Sequence, residues 1–200
     1  QRQMCIRDRL KAFEVIKESS QVGATQISFL LGAERLIDNY KKFGFSKPVS
    51  INFPSTSFGE INSREKISDI EIATLGYGYG LTATPFQISQ AYAIFANNGI
   101  YHDFRIIKDG EFPIFSEQII SESTAKDILY SMKEVVDNGT GILAKSENYD
   151  VSGKTGTTEK LRDGNYKSST YTASFIGIGP NPSNDLTIFV NIDGLGSQKY

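Results

Sequence analysis

The residue types best suited to chemistry lie in one segment, Val151-Ser152-Gly153-Lys154-Thr155-Gly156-Thr157-Thr158. The cation of Lys154 could hold a carboxylate or lower the pKa of a neighbouring hydroxyl. Thr155 and Thr157 could donate hydrogen bonds, and Gly156 leaves room for an extended ligand. The β-prone flank predicts a strand edge that could grip an acyl donor by its backbone and its terminal carboxylate. The same residue types are also typical of an ordinary turn.

Composition excludes several classes of site. The chain has 200 residues, 22% of them charged, and a formal net charge of −2. It therefore lacks the excess of positive charge that is typical of nucleic-acid-binding domains. No apolar run approaches the length of a membrane span. Cys5 is the single cysteine and His102 the single histidine, so an internal disulfide and a cysteine- or histidine-based metal site are excluded. No cofactor is expected.

The first nine residues, QRQMCIRDR, differ from the rest of the chain. They are dense in charge and lack the apolar periodicity that begins at Leu10. They resemble a translated sequencing-adapter read-through, so we exclude residues 1–9 from fold prediction and treat 10–200 as the domain. On this interpretation Cys5 is an artefact and the native chain continues upstream of Leu10.

Several helices are predicted ahead of the lysine segment. Apolar spacing predicts a helix from Leu10 to Glu18, a turn at 19–23, a second helix from Ile27 through Tyr40 that closes at Gly44, and a short helix from Ile67 to Leu75. The next helix has the clearest start signals, with Thr84 as N-cap, Pro85 at the first position and Gln87 completing a capping box. Its predicted buried face consists of Phe86, Ala91, Tyr92, Ile94 and Phe95.

A last helix is predicted to open at 121–124 and to stop at 138–141, before the lysine segment. Two strong strands then follow, at 171–178 and 186–192. The order of helices first and an antiparallel three-strand meander last predicts an α+β fold with helices packed on one sheet.

Two other segments invite functional interpretations. The glycines of Gly76-Tyr77-Gly78-Tyr79-Gly80 suggest a nucleotide loop, but they follow a helix and match neither phosphate-binding fingerprint, so a tight packing loop is favoured. His102 beside Asp103 suggests a serine hydrolase, but no G-x-S-x-G elbow is present. A surface histidine is therefore the favoured interpretation.

Several separated motifs together resemble one family, the transpeptidase domain of class B penicillin-binding proteins. Lys154-Thr155-Gly156-Thr157 is similar to the family's K-[ST]-G-T strand, and 76–87 is similar to its G-x-G-x-x-x-T-P-x-Q segment. The resemblance extends to the helix at 92–99 and to the strand at 172–177. It implies a penicillin-binding protein/serine β-lactamase-like fold that is incomplete at both ends of this chain.

The resemblance implies three active-site motifs, two of which have counterparts here. The S-x-N motif falls on Ser19-Ser20-Gln21, where Gln21 replaces asparagine, and the third motif, S-x-x-K, does not occur ahead of Ser19. Formal matches at 63–66 and 123–126 come later in the chain than the family's order requires. We assign Ser123 a helix-capping role and Lys66 a place on a solvated surface.

By resemblance, the parent is a peptidoglycan D,D-transpeptidase that cross-links D-Ala-D-Ala stem peptides through a serine acyl-enzyme and is acylated by β-lactams. Ser19, Gln21, Lys154 and Thr157 would be catalytic, and Thr155, Gly156 and Thr157 would bind substrate. The resemblance also implies a membrane glycosyltransferase partner, divisome or elongasome proteins, and a periplasmic location with an N-terminal membrane anchor outside this chain. The 200 residues alone are expected to be inactive.

The sequence leaves three alternative functions open. A serine β-lactamase or a β-lactam sensor would have the same fold, although the segment 76–87 favours the transpeptidase. Gln21 suggests a second possibility, a non-catalytic scaffold of the division or elongation machinery. A nucleotide-binding module at 76–80 is the third.

Overall fold

The computed structural model describes residues 9–49, 57–61, 67–104, 115–159, 171–184 and 186–195. In chain order the elements are α1 (Ala12–Lys17), α2 (Gln21–Leu31), α3 (Ala33–Lys42), α4 (Asp69–Leu75), α5 (Pro85–Ala96), β1 (Ile100–His102), β2 (Ser116–Gln118), α6 (Glu122–Asn138), a 3-10 turn (Ile142–Ala144), β3 (Ser152–Glu159), β4 (Tyr171–Gly179) and β5 (Leu186–Leu195). Helices come first and the main sheet last, which confirms the predicted α+β order.

The main sheet is an antiparallel meander in the order β3-β4-β5. Its register pairs Lys154 with Ile176 and Thr157 with Ala173. One face of the sheet packs on α5 and α6 through a core of buried residues, namely Met132, Ile176 and Ile178. Among the described strands β3 pairs on one side only, so its other edge is left free for the site.

A second core joins α3, α4 and the short segment at Ile61, with Ile37 and Leu75 as its other buried members. The Tyr40 hydroxyl donates to the Leu75 carbonyl at 2.7 Å and ties α3 to the end of α4. Gly76 follows at once, and a Cβ there would lie 1.9 Å from the Ser28 hydroxyl of α2. Glycine therefore permits the close approach of α2 and α4 that holds the helical region together.

The start of α5 forms as predicted. Thr84 accepts from the Gln87 amide at 3.2 Å, and the Gln87 side chain accepts from the Thr84 amide at 3.0 Å, which completes the capping box. Ala91 and Ile94 are buried, but Phe86 is 51% exposed, so its assignment to the buried face was wrong. Its ring instead contacts Phe104 edge-on.

Two predicted boundaries also differ from the structure. The helix expected to run from Ile27 through Tyr40 is broken at Gly32, whose φ of 77° is outside the helical region. Apolar residues continue on both sides of this glycine, so periodicity alone conceals the break. The turn expected at 19–23 covers only Ser19 and Ser20, because α2 begins at Gln21.

Candidate functional site

Lys154 lies on the free edge of β3 and reaches across to the corner between α1 and α2. Its Nζ donates to the Ser19 hydroxyl, 135 residues earlier in the chain, and to the Thr155 carbonyl at 2.9 Å. These contacts place the only cation of the segment against a hydroxyl. They form one wall of a cleft of about 1080 Å³.

Burial changes the acidity of this lysine. Removal from water disfavours the charged ammonium, and it lowers the pKa of Lys154 from 10.5 to about 8. None of the salt bridges among the described residues involves Lys154. Both protonation states are therefore accessible slightly above neutral pH, as required of a group that exchanges a proton.

Ser19 occupies a backbone position that usually belongs to glycine. The α1 C-terminus closes as a Schellman motif, in which the Ser20 amide donates to the Val15 carbonyl at 3.0 Å and the Ser19 amide to the Ile16 carbonyl at 3.2 Å. The motif places Ser19 at a φ of 50°, in the left-handed region. Glycine would avoid the backbone strain at this position, but only a residue with a hydroxyl can make the contact with Lys154.

Ser20 starts α2 directly after this corner. Its side chain accepts from the Gly23 amide at 3.1 Å as an N-cap. A Cβ on Gly23 would lie 2.7 Å from a Val15 methyl, so glycine allows α2 to turn back tightly on α1. The backbone of the corner is therefore held from both sides, which keeps Ser19 beside Lys154.

The other residues of the lysine segment lie along the same cleft. Thr155, Gly156 and Thr157 line it, with the Thr157 side chain exposed. A Cβ on Gly156 would lie 2.6 Å from the Ser174 hydroxyl, so a larger residue would disturb β4 as well as narrow the cleft. The strand edge thus offers backbone groups, hydroxyls and a cation to an extended ligand.

Thr140 is a polar residue of this cleft that the sequence did not indicate. Its Oγ1 lies 3.3 Å from Ser19 Oγ and 3.1 Å from Thr155 Oγ1. The segment 138–141 was interpreted only as a helix stop, because threonine between two glycines has no chemical signature. Only the packing of α1 against α6 places this hydroxyl between the two segments.

The chain matches the penicillin-binding protein transpeptidase domain over residues 2–200. It belongs to that family. It is 34% identical over 196 residues to the peptidoglycan D,D-transpeptidase FtsI of Buchnera aphidicola, covering 96% of this chain and 34% of that protein. The chain spans about a third of the length of the curated relatives it matches. The predicted resemblance to class B penicillin-binding proteins is confirmed.

Solved structures agree with this assignment. The transpeptidase domain of penicillin-binding protein 3 from Burkholderia pseudomallei superimposes with a TM-score of 0.86 at 31% identity, over 92% of this chain and 56% of that one. Penicillin-binding protein 3 from Mycobacterium tuberculosis, complexed with aztreonam, gives 0.85 at 29% identity, over 92% and 45%. The predicted penicillin-binding protein fold is therefore confirmed.

Gln21 stands where the resemblance predicts the asparagine of an S-x-N motif. Gln21 is the first residue of α2, lines the cleft and has an exposed side chain. Its amide is one methylene longer than that of asparagine, so it can extend further into the cleft than the family's usual residue. Ser19, Gln21 and Lys154 thus line one cleft.

The formal S-x-x-K match at 123–126 lies at the start of α6, and none of its residues lines the cleft. Lys126 donates to Glu122 at 2.6 Å, and both side chains are mostly exposed. The cap of α6 is Ser121, which accepts from the Thr124 amide, so the capping role assigned to Ser123 was wrong. Ser123 contacts the Ser121 hydroxyl at 2.9 Å. The other match, 63–66, lies outside the described residues.

The alternative segments have structural roles in the described part of the chain. Gly78 and Gly80 adopt φ values of 91° and 84° in the turn after α4, and the Tyr79 hydroxyl accepts from the Glu159 amide at 3.4 Å. The glycine loop therefore contacts the far end of β3. His102 is exposed at the end of β1. Within the described ranges, no helix combines the length and apolarity needed to cross a lipid bilayer.

Proposed function

We propose that this chain forms one side of the active site of a peptidoglycan D,D-transpeptidase. The observation that carries the proposal is the contact of Lys154 with Ser19 across the cleft, with the pKa of the lysine lowered to about 8. Two segments that are far apart in sequence meet at the point where a proton would pass. The D,D-transpeptidase name of the relatives supports the same reaction.

The reaction assigns a task to each residue of the cleft. A nucleophilic serine from a part of the parent outside these residues attacks the penultimate D-Ala carbonyl of a stem peptide and releases terminal D-Ala. Ser19 and Lys154 pass a proton to the leaving amine. Thr155 and Thr157 hold the donor's carboxylate, and the Thr157 amide supplies one donor of the oxyanion hole. An amine from a second stem then resolves the acyl-enzyme as a cross-link.

β-Lactams would acylate the same serine, since they present an amide carbonyl with an anionic group close to it, as the stem peptide does. The aztreonam complex of the Mycobacterium tuberculosis relative supports this binding class. We further propose that the parent acts at the periplasmic face of the inner membrane, anchored outside this chain. Its partners would be a membrane glycosyltransferase and the division or elongation machinery.

Labelling of the full-length parent with fluorescent penicillin tests the function. Ser19→Ala should slow acylation about a hundredfold, because it removes a group from the proton path. Ser123→Ala is the matched control and should acylate at the wild-type rate, since Ser123 lies on the exposed start of α6. A wild-type parent that is never labelled would overturn the proposal, and rapid penicillin turnover would favour the β-lactamase alternative.

The pH dependence of acylation provides a second prediction. The lowered pKa of Lys154 means that half of the ammonium is lost at about pH 8, and more is lost as pH rises. If the cation holds the carboxylate and gives its proton to the leaving group, the acylation rate should fall as pH increases through about 8. Stopped-flow measurement of the acylation rate across this range gives the alkaline limb of the pH–rate profile, that is, the fall in rate above about pH 8. A rate that stays constant to about pH 10 would contradict a cationic role.

A further inference from the structure

Thr140 connects the two segments that meet at Lys154. Its hydroxyl lies 3.3 Å from that of Ser19 on the α1–α2 corner and 3.1 Å from that of Thr155 on β3. Lys154 contacts the same two residues through its ammonium, at the Ser19 hydroxyl and the Thr155 carbonyl. The four residues therefore form a closed ring of polar contacts along the cleft wall.

The chain around Thr140 is built to hold the hydroxyl in this place. A Cβ on Gly139 would lie 2.7 Å from the Lys17 carbonyl oxygen, so only glycine lets the end of α6 pass this close to the end of α1. A Cβ on Gly141 would lie 3.1 Å from a Val135 methyl in the last turns of α6. Two tight glycine contacts therefore fix the path of the backbone on either side of Thr140.

The number of hydrogen-bond donors in the ring determines when the Thr140 hydroxyl is needed as an acceptor. A charged Lys154 has only donors, so Ser19 accepts its hydrogen bond and keeps its own proton available for donation to another group. Thr140 Oγ1 lies within reach as that acceptor, and it can donate in turn to Thr155 Oγ1. A neutral Lys154 has a lone pair and can accept the Ser19 proton directly. The charged state of the lysine therefore depends on Thr140 more than the neutral state does.

We propose that Thr140 is a positioning residue for acylation, which orients the Ser19 hydroxyl with its lone pair toward the Lys154 ammonium. This inference rests on the proposed transpeptidase function and adds a residue to its proton path. Thr140 acts through Ser19 and Thr155, and its hydroxyl rather than its methyl group is the part that matters. The ring also couples the orientation of Thr155 to the protonation state of Lys154.

The test compares Thr140→Val with Thr140→Ser in the full-length parent. Acylation by fluorescent penicillin is measured from about pH 6 to about pH 10. Loss of one hydrogen bond to a cleft hydroxyl should slow the valine variant about threefold to tenfold at neutral pH. Its alkaline limb should also move to lower pH, because the charged form of Lys154 loses support. The serine variant keeps the hydroxyl and should remain within about twofold of wild type.

Two outcomes would overturn the inference. One is a valine variant with the wild-type rate and the wild-type alkaline limb. The other is a serine variant as slow as the valine variant, which would assign the effect to methyl packing. Thr140→Ala removes the hydroxyl without added bulk and gives the same comparison if valine prevents folding. Failure of the wild-type parent to react with penicillin would instead refute the proposed function, so the two failures are distinguishable.

Discussion

Replacement of Lys154 by alanine in the full-length parent is expected to slow acylation by penicillin about 10²–10⁴-fold, the range for loss of a positioned proton-transfer group. The change removes the cation of the cleft and the partner of the Ser19 hydroxyl. It also removes the contact of the ammonium with the Thr155 carbonyl on the same strand. The second-order rate constant with a fluorescent penicillin measures the effect.

Lys126→Ala is the matched control for this loss. Lys126 lies on α6, is mostly exposed and pairs with Glu122, so its removal should leave the acylation rate unchanged. Lys154→Arg separates the positive charge of the lysine from its ability to lose a proton, because a guanidinium keeps its charge across the whole pH range. If the site needs only a cation, the arginine variant should regain part of the rate and lose the alkaline limb. A Lys154→Ala variant that keeps a tenth of the wild-type rate would contradict the assignment.

Gln87→Leu should lower the free energy of unfolding by about 3–5 kcal/mol. The Gln87 side chain is fully buried. Its oxygen accepts from the Gly59 and Thr84 amides, both at 3.0 Å, and its nitrogen donates to the Gly44 and Lys47 carbonyls at 3.3 and 3.1 Å. Leucine has a similar size but leaves these backbone groups without their partner in a buried place.

Gln90→Leu is the control for this variant because it lies on the same helix and is also buried. Its Nε2 donates to the His102 carbonyl at 3.0 Å and its side chain also hydrogen-bonds Tyr101, so fewer buried backbone groups lose a partner than at Gln87 and the loss should be about half as large. Pulse proteolysis of the parent in urea reports the folded fraction for both variants. Equal losses in the two would show that burial, rather than the network of Gln87, determines the cost.

Gln87 shows how far local sequence signals reach. The sequence predicted its capping-box role from Thr84, three residues away, and the structure confirms that bond. Its bonds to Gly44, Lys47 and Gly59 join segments 28 to 43 residues away, and no local pattern specifies them. The same limit explains Phe86, whose place in the apolar pattern did not show that its side of α5 is exposed.

The sequence by itself determined most of the helices, the three-strand meander and the chemistry of the lysine strand, because caps, periodicity and strand alternation act over a few neighbouring residues. It also indicated the family, through motifs spread along the chain. Only the tertiary structure decided that Ser19 meets Lys154 and that Thr140 lies between Ser19 and Thr155. These contacts arise because α1 packs on α6 and Gly139 permits the close approach of their ends, and packing over such distances leaves no local trace in the sequence.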